Sequence, residues 1–86
     1  MAKRTPRDWG RLLAETRKQR GLSQKHIAAK LGVSTSRVSQ IEHGSVTSFE
    51  VIARYIEALG GRLDLVAEFA DRIVRLQVSD TWTQVA

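Results

Sequence analysis

The chain has 86 residues, no cysteine and a formal charge of +5. A chain of this length is one small domain that buries only about 60% of its unfolded surface. The lack of cysteine excludes a disulfide framework, a thiolate metal site and a thiol nucleophile. No apolar run approaches the ~18 residues of a membrane span and no signal-like segment opens the sequence, so a soluble, cytoplasmic protein is expected.

The charge is unevenly placed. Residues 1–40 hold ten Lys/Arg and two acids, a balance of +8, whereas residues 41–86 hold four Arg and seven acids, a balance of −3. A basic first half suits a polyanionic partner. The acidic second half suits a basic partner, though plain solubility explains it equally well.

Met1–Arg4 reads as a flexible basic arm. Thr5-Pro6-Arg7-Asp8 is a helix start, with Thr5 as cap, Pro6 at the first helical position and Asp8 as the capping carboxylate. Trp9, Leu12, Leu13 and Thr16 form an apolar stripe on a helix over about 6–20. Gly10 weakens that helix by about 1 kcal/mol relative to alanine, and Gly21 ends it. Ser23 caps a second helix, about 23–31, carrying Ile27, Ala28 and Leu31 and stopped by Gly32. Ser34 caps a third, about 34–43, with Val38 and Ile41 inward and Gly44 at its end. Thr47-Ser48-Phe49-Glu50 matches a capping box. It opens a fourth helix, about 48–59, that buries Phe49, Ile52, Tyr55, Ile56 and Leu59. Gly60-Gly61 closes it.

The apolar period then drops from 3.6 to 2. A hairpin over residues 62–78, centred on Ala70-Asp71, pairs Leu63 with Val78, Leu65 with Leu76 and Ala67 with Val74 on one face. The other face carries Asp64/Gln77, Val66/Arg75 and Glu68/Ile73. Ala70 is a poor residue for a tight primed turn, so a four-residue loop of the same parity is an alternative. Residues 79–86 have no period and are expected to be a mobile tail. The fold class expected is mainly α: a single domain of four to five helices over residues 7–59, followed by a short C-terminal hairpin.

The second and third helices are joined through Gly32-Val33, a short glycine-containing turn as in a helix-turn-helix. Ala28 lies at the joint, where a larger side chain would push the helices apart. With Val33, Val38 and Ile41 holding the third helix from below, its other face must point outward. That face is Thr35, Ser36, Arg37, Ser39 and Gln40. A helix fits the major groove of B-form DNA. There arginine can pair with guanine, glutamine with adenine, and threonine can offer a methyl to thymine. Ser23, Gln24 and Lys25 place N–H groups and a cation at the positive end of the second helix, suited to a phosphate.

Residues 20–44, RGLSQKHIAAKLGVSTSRVSQIEHG, resemble the Cro/phage-repressor helix-turn-helix family, also called the xenobiotic-response-element type. The resemblance extends over about residues 9–59. It implies that Thr35, Ser36, Arg37 and Gln40 face bases and that Gln24 holds a phosphate. It also implies that Ser45, Thr47 and Ser48 skirt the DNA backbone, and that Arg17 and Glu42 form an internal ion pair. Residues 53–69, ARYIEALGGRLDLVAEF, resemble the C-terminal part of HigA-like antitoxins of type II toxin–antitoxin systems. Their toxins are basic ribonucleases of the RelE/HigB kind. The implied function is a repressor that binds double-stranded DNA, sequesters such a toxin and regulates the shared operon from the bacterial nucleoid.

An isolated hairpin is marginal in water, so the face with Leu63, Leu65, Val74 and Leu76 needs a cover. Modules of this kind usually bind palindromic operators as dimers, and strand edges are pairing surfaces. A homodimer with these strands at or near its interface is expected. Two rival readings remain open: a stand-alone repressor, and a toxin-binding module that uses the helix-turn-helix as scaffold only. Catalysis is not expected. His26 and His43 lie 17 residues apart on different helices with no paired carboxylates nearby, and a metal would need three or four convergent ligands. No cofactor, metal, membrane or small-molecule substrate is implied. RNA binding is disfavoured, since no exposed aromatic pair lies on a sheet.

Overall fold

The computed structural model describes residues 6–45 and 48–78. Helices α1 (Pro6–Gln19), α2 (Gln24–Leu31), α3 (Thr35–Glu42) and α4 (Phe49–Ala58) precede strands β1 (Asp64–Glu68) and β2 (Ile73–Gln77). The described residues therefore hold four helices rather than five. The expected arm, the Thr5 cap, Thr47 and the tail at 79–86 lie outside them.

All four helices end in the same way. A residue two or three past each helix donates its N–H to a carbonyl five residues back, and the glycine before it bonds three residues back: Leu22 to Arg17, Val33 to Ala28, Ser45 to Gln40, Gly61 to Ile56. This is the Schellman stop. It requires a left-handed residue, and Gly32 supplies it at φ 71° where the chain turns from α2 into α3. The next helix then starts at once, because Ser34 Oγ accepts from the Arg37 N–H at 3.1 Å. α4 begins differently from the capping box expected on Thr47. Its cap is Ser48, whose side chain makes no capping hydrogen bond.

The core joins Leu13 of α1, Ile27, Ala28 and Leu31 of α2, Val38 and Ile41 of α3, and Ile52, Tyr55 and Leu59 beyond the turn. Three residues expected inside are not. Leu12, Val33 and Phe49 are exposed. Phe49 instead stacks on Trp9, ring centroids 5.9 Å apart, and Leu12 lies beside them. Together with Ile52, Leu63 and Leu65 they line an open apolar groove of about 270 Å³. The stripe on α1 is wider than the bundle can cover, so its edge stays at the surface.

Gly10 has a role that helix propensity hides. α1 and α3 cross so closely there that a Cβ would sit 2.5 Å from the Glu42 carbonyl oxygen and 2.6 Å from that of Ile41. Only a residue without a side chain permits the approach.

β1 and β2 form an antiparallel pair: Asp64 opposite Gln77, Leu65 opposite Leu76, Val66 opposite Arg75, Ala67 opposite Val74, Glu68 opposite Ile73. Phe69 and Arg72 close the ladder around Ala70-Asp71. The loop is thus two residues long, not four. None of the described non-glycine residues has a positive φ, so the turn is not of the primed kind that needs one. Asp64 ties the hairpin to its approach, accepting from Arg62 at 3.0 Å and Arg75 at 3.4 Å. These bonds, that from Arg62 above all, hold its carboxyl below the usual range. Among the described residues, no helix is long and apolar enough to cross a membrane.

Candidate nucleic-acid interface

α3 is anchored by Val38, Ile41 and Glu42, all buried. The anchors recur at helical spacing, so the opposite side must face outward. Thr35, Ser36, Arg37 and Gln40 are all exposed there. Arg37 Nη1 donates to Gln40 Oε1 at 3.3 Å, one turn along the same face. Ser39 is placed differently from the other four. It is half-buried, and its Oγ lies 3.4 Å from His43 Nδ1. The imidazole Nδ1 donates to the Ser39 carbonyl at 2.7 Å, adding a second donor to an oxygen that already accepts from the His43 backbone N–H at 3.0 Å.

The front of α2 lies beside this face. Ser23 Oγ accepts from the His26 N–H at 3.0 Å, which leaves its own hydroxyl proton free to donate. Ser23 and Lys25 are exposed, and Gln24 is half-buried. Ser45 and Ser48 are exposed on either side of the two undescribed residues 46–47. No Asp or Glu occurs between Glu15 and Glu42, a stretch with six Lys/Arg. The α2–α3 pair therefore carries no acid other than Glu42, which is buried at the end of α3, so its own outer face has no carboxylate to repel phosphate.

Behind that surface is a polar cluster that joins all four helices. Arg17 of α1 reaches Glu42 of α3 through Nε to Oε2 at 2.8 Å and Nη2 to Oε1 at 3.3 Å. Its Nη1 donates to the Leu22 carbonyl at 2.8 Å. Gln24 of α2 donates from Nε2 to Glu42 Oε1 at 3.0 Å, and Tyr55 of α4 donates its hydroxyl proton to Glu42 Oε2 at 2.5 Å. Burial alone would push the Glu42 carboxyl up. The hydrogen bonds from Arg17, Tyr55 and Gln24 outweigh it and hold the group below its usual 4.5. The same bond to Glu42 raises Arg17 further, against the burial that lowers it. Tyr55 moves well above its usual 10, first because it is buried and then because it donates to a carboxylate. The cluster is ionised and fully donated, which is the condition under which a buried charge is tolerated.

Sequence reasoning placed Tyr55 in the core and missed its hydroxyl's partner. A tyrosine at a core position is the available signal, because a buried phenol needs an acceptor. Arg11 and Lys18 were also unassigned. The fold gathers them with Gln24 and His43 around an open cleft beside Glu42. Arg54 was counted only as charge, yet its Nη2 donates to the Leu31 carbonyl at 3.2 Å and so caps α2 from α4.

A bundle whose second and third helices meet at a glycine turn, with the third held outward from below, defines a class. The family described as Helix-turn-helix matches residues 13–66, more than half of the chain, and the chain belongs to that family. Two proteins of Mycobacterium tuberculosis are similar to it. "Putative antitoxin HigA3" is 45% identical over 67 residues, covering 74% of this chain and 62% of its own length. "Putative antitoxin HigA2" is 38% identical over 66 residues, covering 74% and 65%. The chain thus spans under two thirds of the length of these relatives. Two solved structures are also similar. One, a HigA antitoxin described as inducing DNA bending by unique dimerisation, aligns at TM-score 0.65 with 45% identity over 73% of this chain and 85% of its own. The other, DNA-bound antitoxin HigA3, aligns at TM-score 0.68 with 43% identity over 74% and 86%.

Proposed function

We propose that the chain is a dimeric DNA-binding repressor that also serves as the antitoxin of a basic ribonuclease toxin of the RelE/HigB kind, acting in the bacterial cytoplasm on its own operon. The observation that carries the DNA-binding reading is α3. Its acid-free outer face is exposed along Thr35, Ser36, Arg37 and Gln40, while Val38, Ile41 and Glu42 fix it from behind. In this reading those four side chains meet base edges in the major groove, and Ser39 supports the end of the helix. Ser23, Gln24, Lys25, Ser45, Thr47 and Ser48 meet phosphates. The DNA-bound and dimeric HigA structures that align with this chain support DNA binding by a dimer. The names of the relatives support the antitoxin role.

Leu63, Leu65, Val74 and Leu76 share one face of the hairpin, and Leu76 is more than half exposed. Pairing of two such faces brings two copies of α3 to one side of a duplex, for half-sites about one helical turn apart.

The test is binding of the full chain to a labelled duplex of its own upstream promoter, read by fluorescence anisotropy over a salt series. Specific binding with a steep loss of affinity on added salt is expected. Arg37→Ala and Gln40→Ala should each weaken specific over non-specific binding by about 1–3 kcal/mol. Retention of full discrimination by both variants would overturn the base-reading assignment. Leu65→Asp should convert the dimer to monomer in sedimentation, and an intact dimer would remove the hairpin from the interface. Co-purification with a small basic ribonuclease, whose RNA cleavage the chain suppresses, tests the antitoxin role.

A further inference from the structure

We propose that Tyr55 is a positioning residue for the contact with the DNA backbone: acting through Glu42, its hydroxyl sets the orientation of the Gln24 amide at the front of α2. This inference rests on the DNA-binding reading above and names a determinant that lies on α4, outside the helix pair.

The geometry of the carboxylate is the starting point. A carboxylate offers about four acceptor positions, and Glu42 uses four. Oε2 takes the Tyr55 hydroxyl and Arg17 Nε, while Oε1 takes Gln24 Nε2 and Arg17 Nη2. The Oε2 bonds, at 2.5 and 2.8 Å, are the shorter pair, and the Arg17 bond to Oε1 is long at 3.3 Å. The carboxylate is therefore pinned mainly at Oε2, and Tyr55 supplies half of that pin. Its ring fills core volume, which a phenylalanine would fill equally. The hydroxyl is the part that selects a partner.

Gln24 feels the result. Only its Nε2 can donate to a carboxylate, so Glu42 decides which way the amide faces. The flipped amide would set Oε1 against Glu42 Oε1, two acceptors with no proton between them. In the observed orientation one N–H of Nε2 is used inward and the second remains for an outside acceptor. A phosphate oxygen only accepts. The orientation that Glu42 imposes thus retains a donor for a phosphate at the front of α2. Gln24 is half-buried beside an open cleft, so an outside group can reach it. A tyrosine buried in the core on α4 then acts on the DNA backbone through two hydrogen bonds.

The experiment is a double-mutant cycle on the full chain. Affinity is measured for the wild type, Tyr55→Phe, Gln24→Ala and the double variant. The probe is the same labelled promoter duplex, at a temperature where melting curves show all four folded. Loss of one such bond predicts that each single variant binds about three- to tenfold more weakly. The double variant should bind no more weakly than Gln24→Ala alone. In the DNA-free protein, Tyr55→Phe should also shift the Gln24 side-chain amide signals in a nitrogen–proton NMR spectrum. That readout would not change if Tyr55 only filled space. Independent losses that multiply in the double variant, or Gln24 signals unmoved by Tyr55→Phe, overturn the inference while leaving the DNA-binding reading intact. A wild-type chain that does not bind the duplex overturns both.

Discussion

The helical bundle and the hairpin handle their surfaces in opposite ways. In the bundle each helix contributes to one apolar core, and one buried carboxylate receives a donor from each of the other three helices. In the hairpin, Val66, Phe69, Ile73 and Leu76 are each more than half exposed, and the apolar residues lie on both faces of two strands. A closed, interlocked bundle can hold a recognition surface rigidly without a partner. Two strands with apolar residues on either side are unfinished until another surface meets them. The interlocked core and the uncovered apolar residues therefore lie in different parts of one small chain.

That contrast can be broken at its strongest point. Glu42→Ala leaves Arg17 as an uncompensated cation, with side chains only 9% and 5% exposed in the original pair. The expected loss is about 3–5 kcal/mol in urea denaturation. The pH dependence carries the same signature. Because the Glu42 value is lowered in the folded chain, its contribution is complete above the usual 4.5 and is lost as pH falls through the lowered value. Acidification should erode wild-type stability more than that of Glu42→Gln. Parallel pH profiles for the two would mean that the carboxylate is not held by its donors.

A smaller effect is expected at the α1–α3 crossing. Gly10→Ala raises helix propensity by about 1 kcal/mol but drives a methyl group into two backbone carbonyls. Overpacking of this kind costs about 1–3 kcal/mol, and here the obstacle is backbone that cannot rotate away. A net fall in melting temperature is expected, and a rise would show that the helices separate freely. The smallest effect belongs to the hairpin. Ile73→Thr, on an exposed strand position, should change the stability of the isolated chain by no more than about 0.5 kcal/mol. A larger loss would show that the strand face bearing Ile73 is already covered and would weaken the contrast.

Much of this arrangement is local and so legible in the chain itself. Glycines two residues ahead of Ser23 and Ser34 mark where helices stop and restart, because a left-handed residue and a side-chain cap act within one turn. The strand register follows from alternation, since a slip by one residue would turn Leu65 and Leu76 to the other face. The family pattern around residues 20–44 pointed to Arg17 and Glu42 as a pair. Composition could not reveal that Tyr55 and Gln24 complete that pair, since the four residues are separated in sequence by 7 to 38 positions.

What the sequence by itself determined was the succession of elements, the outward side of α3 and the pairing of the strands, each set by interactions within a turn or between adjacent strands. The tertiary structure alone decided that Gly10 is a point of close approach, that Leu12, Val33 and Phe49 stay at the surface, and that Tyr55 reaches a carboxylate on α3 that also contacts Gln24. Those outcomes depend on how closely helices cross and on which donors converge on one buried charge. Both are distances between segments remote in the chain, and no local pattern encodes them.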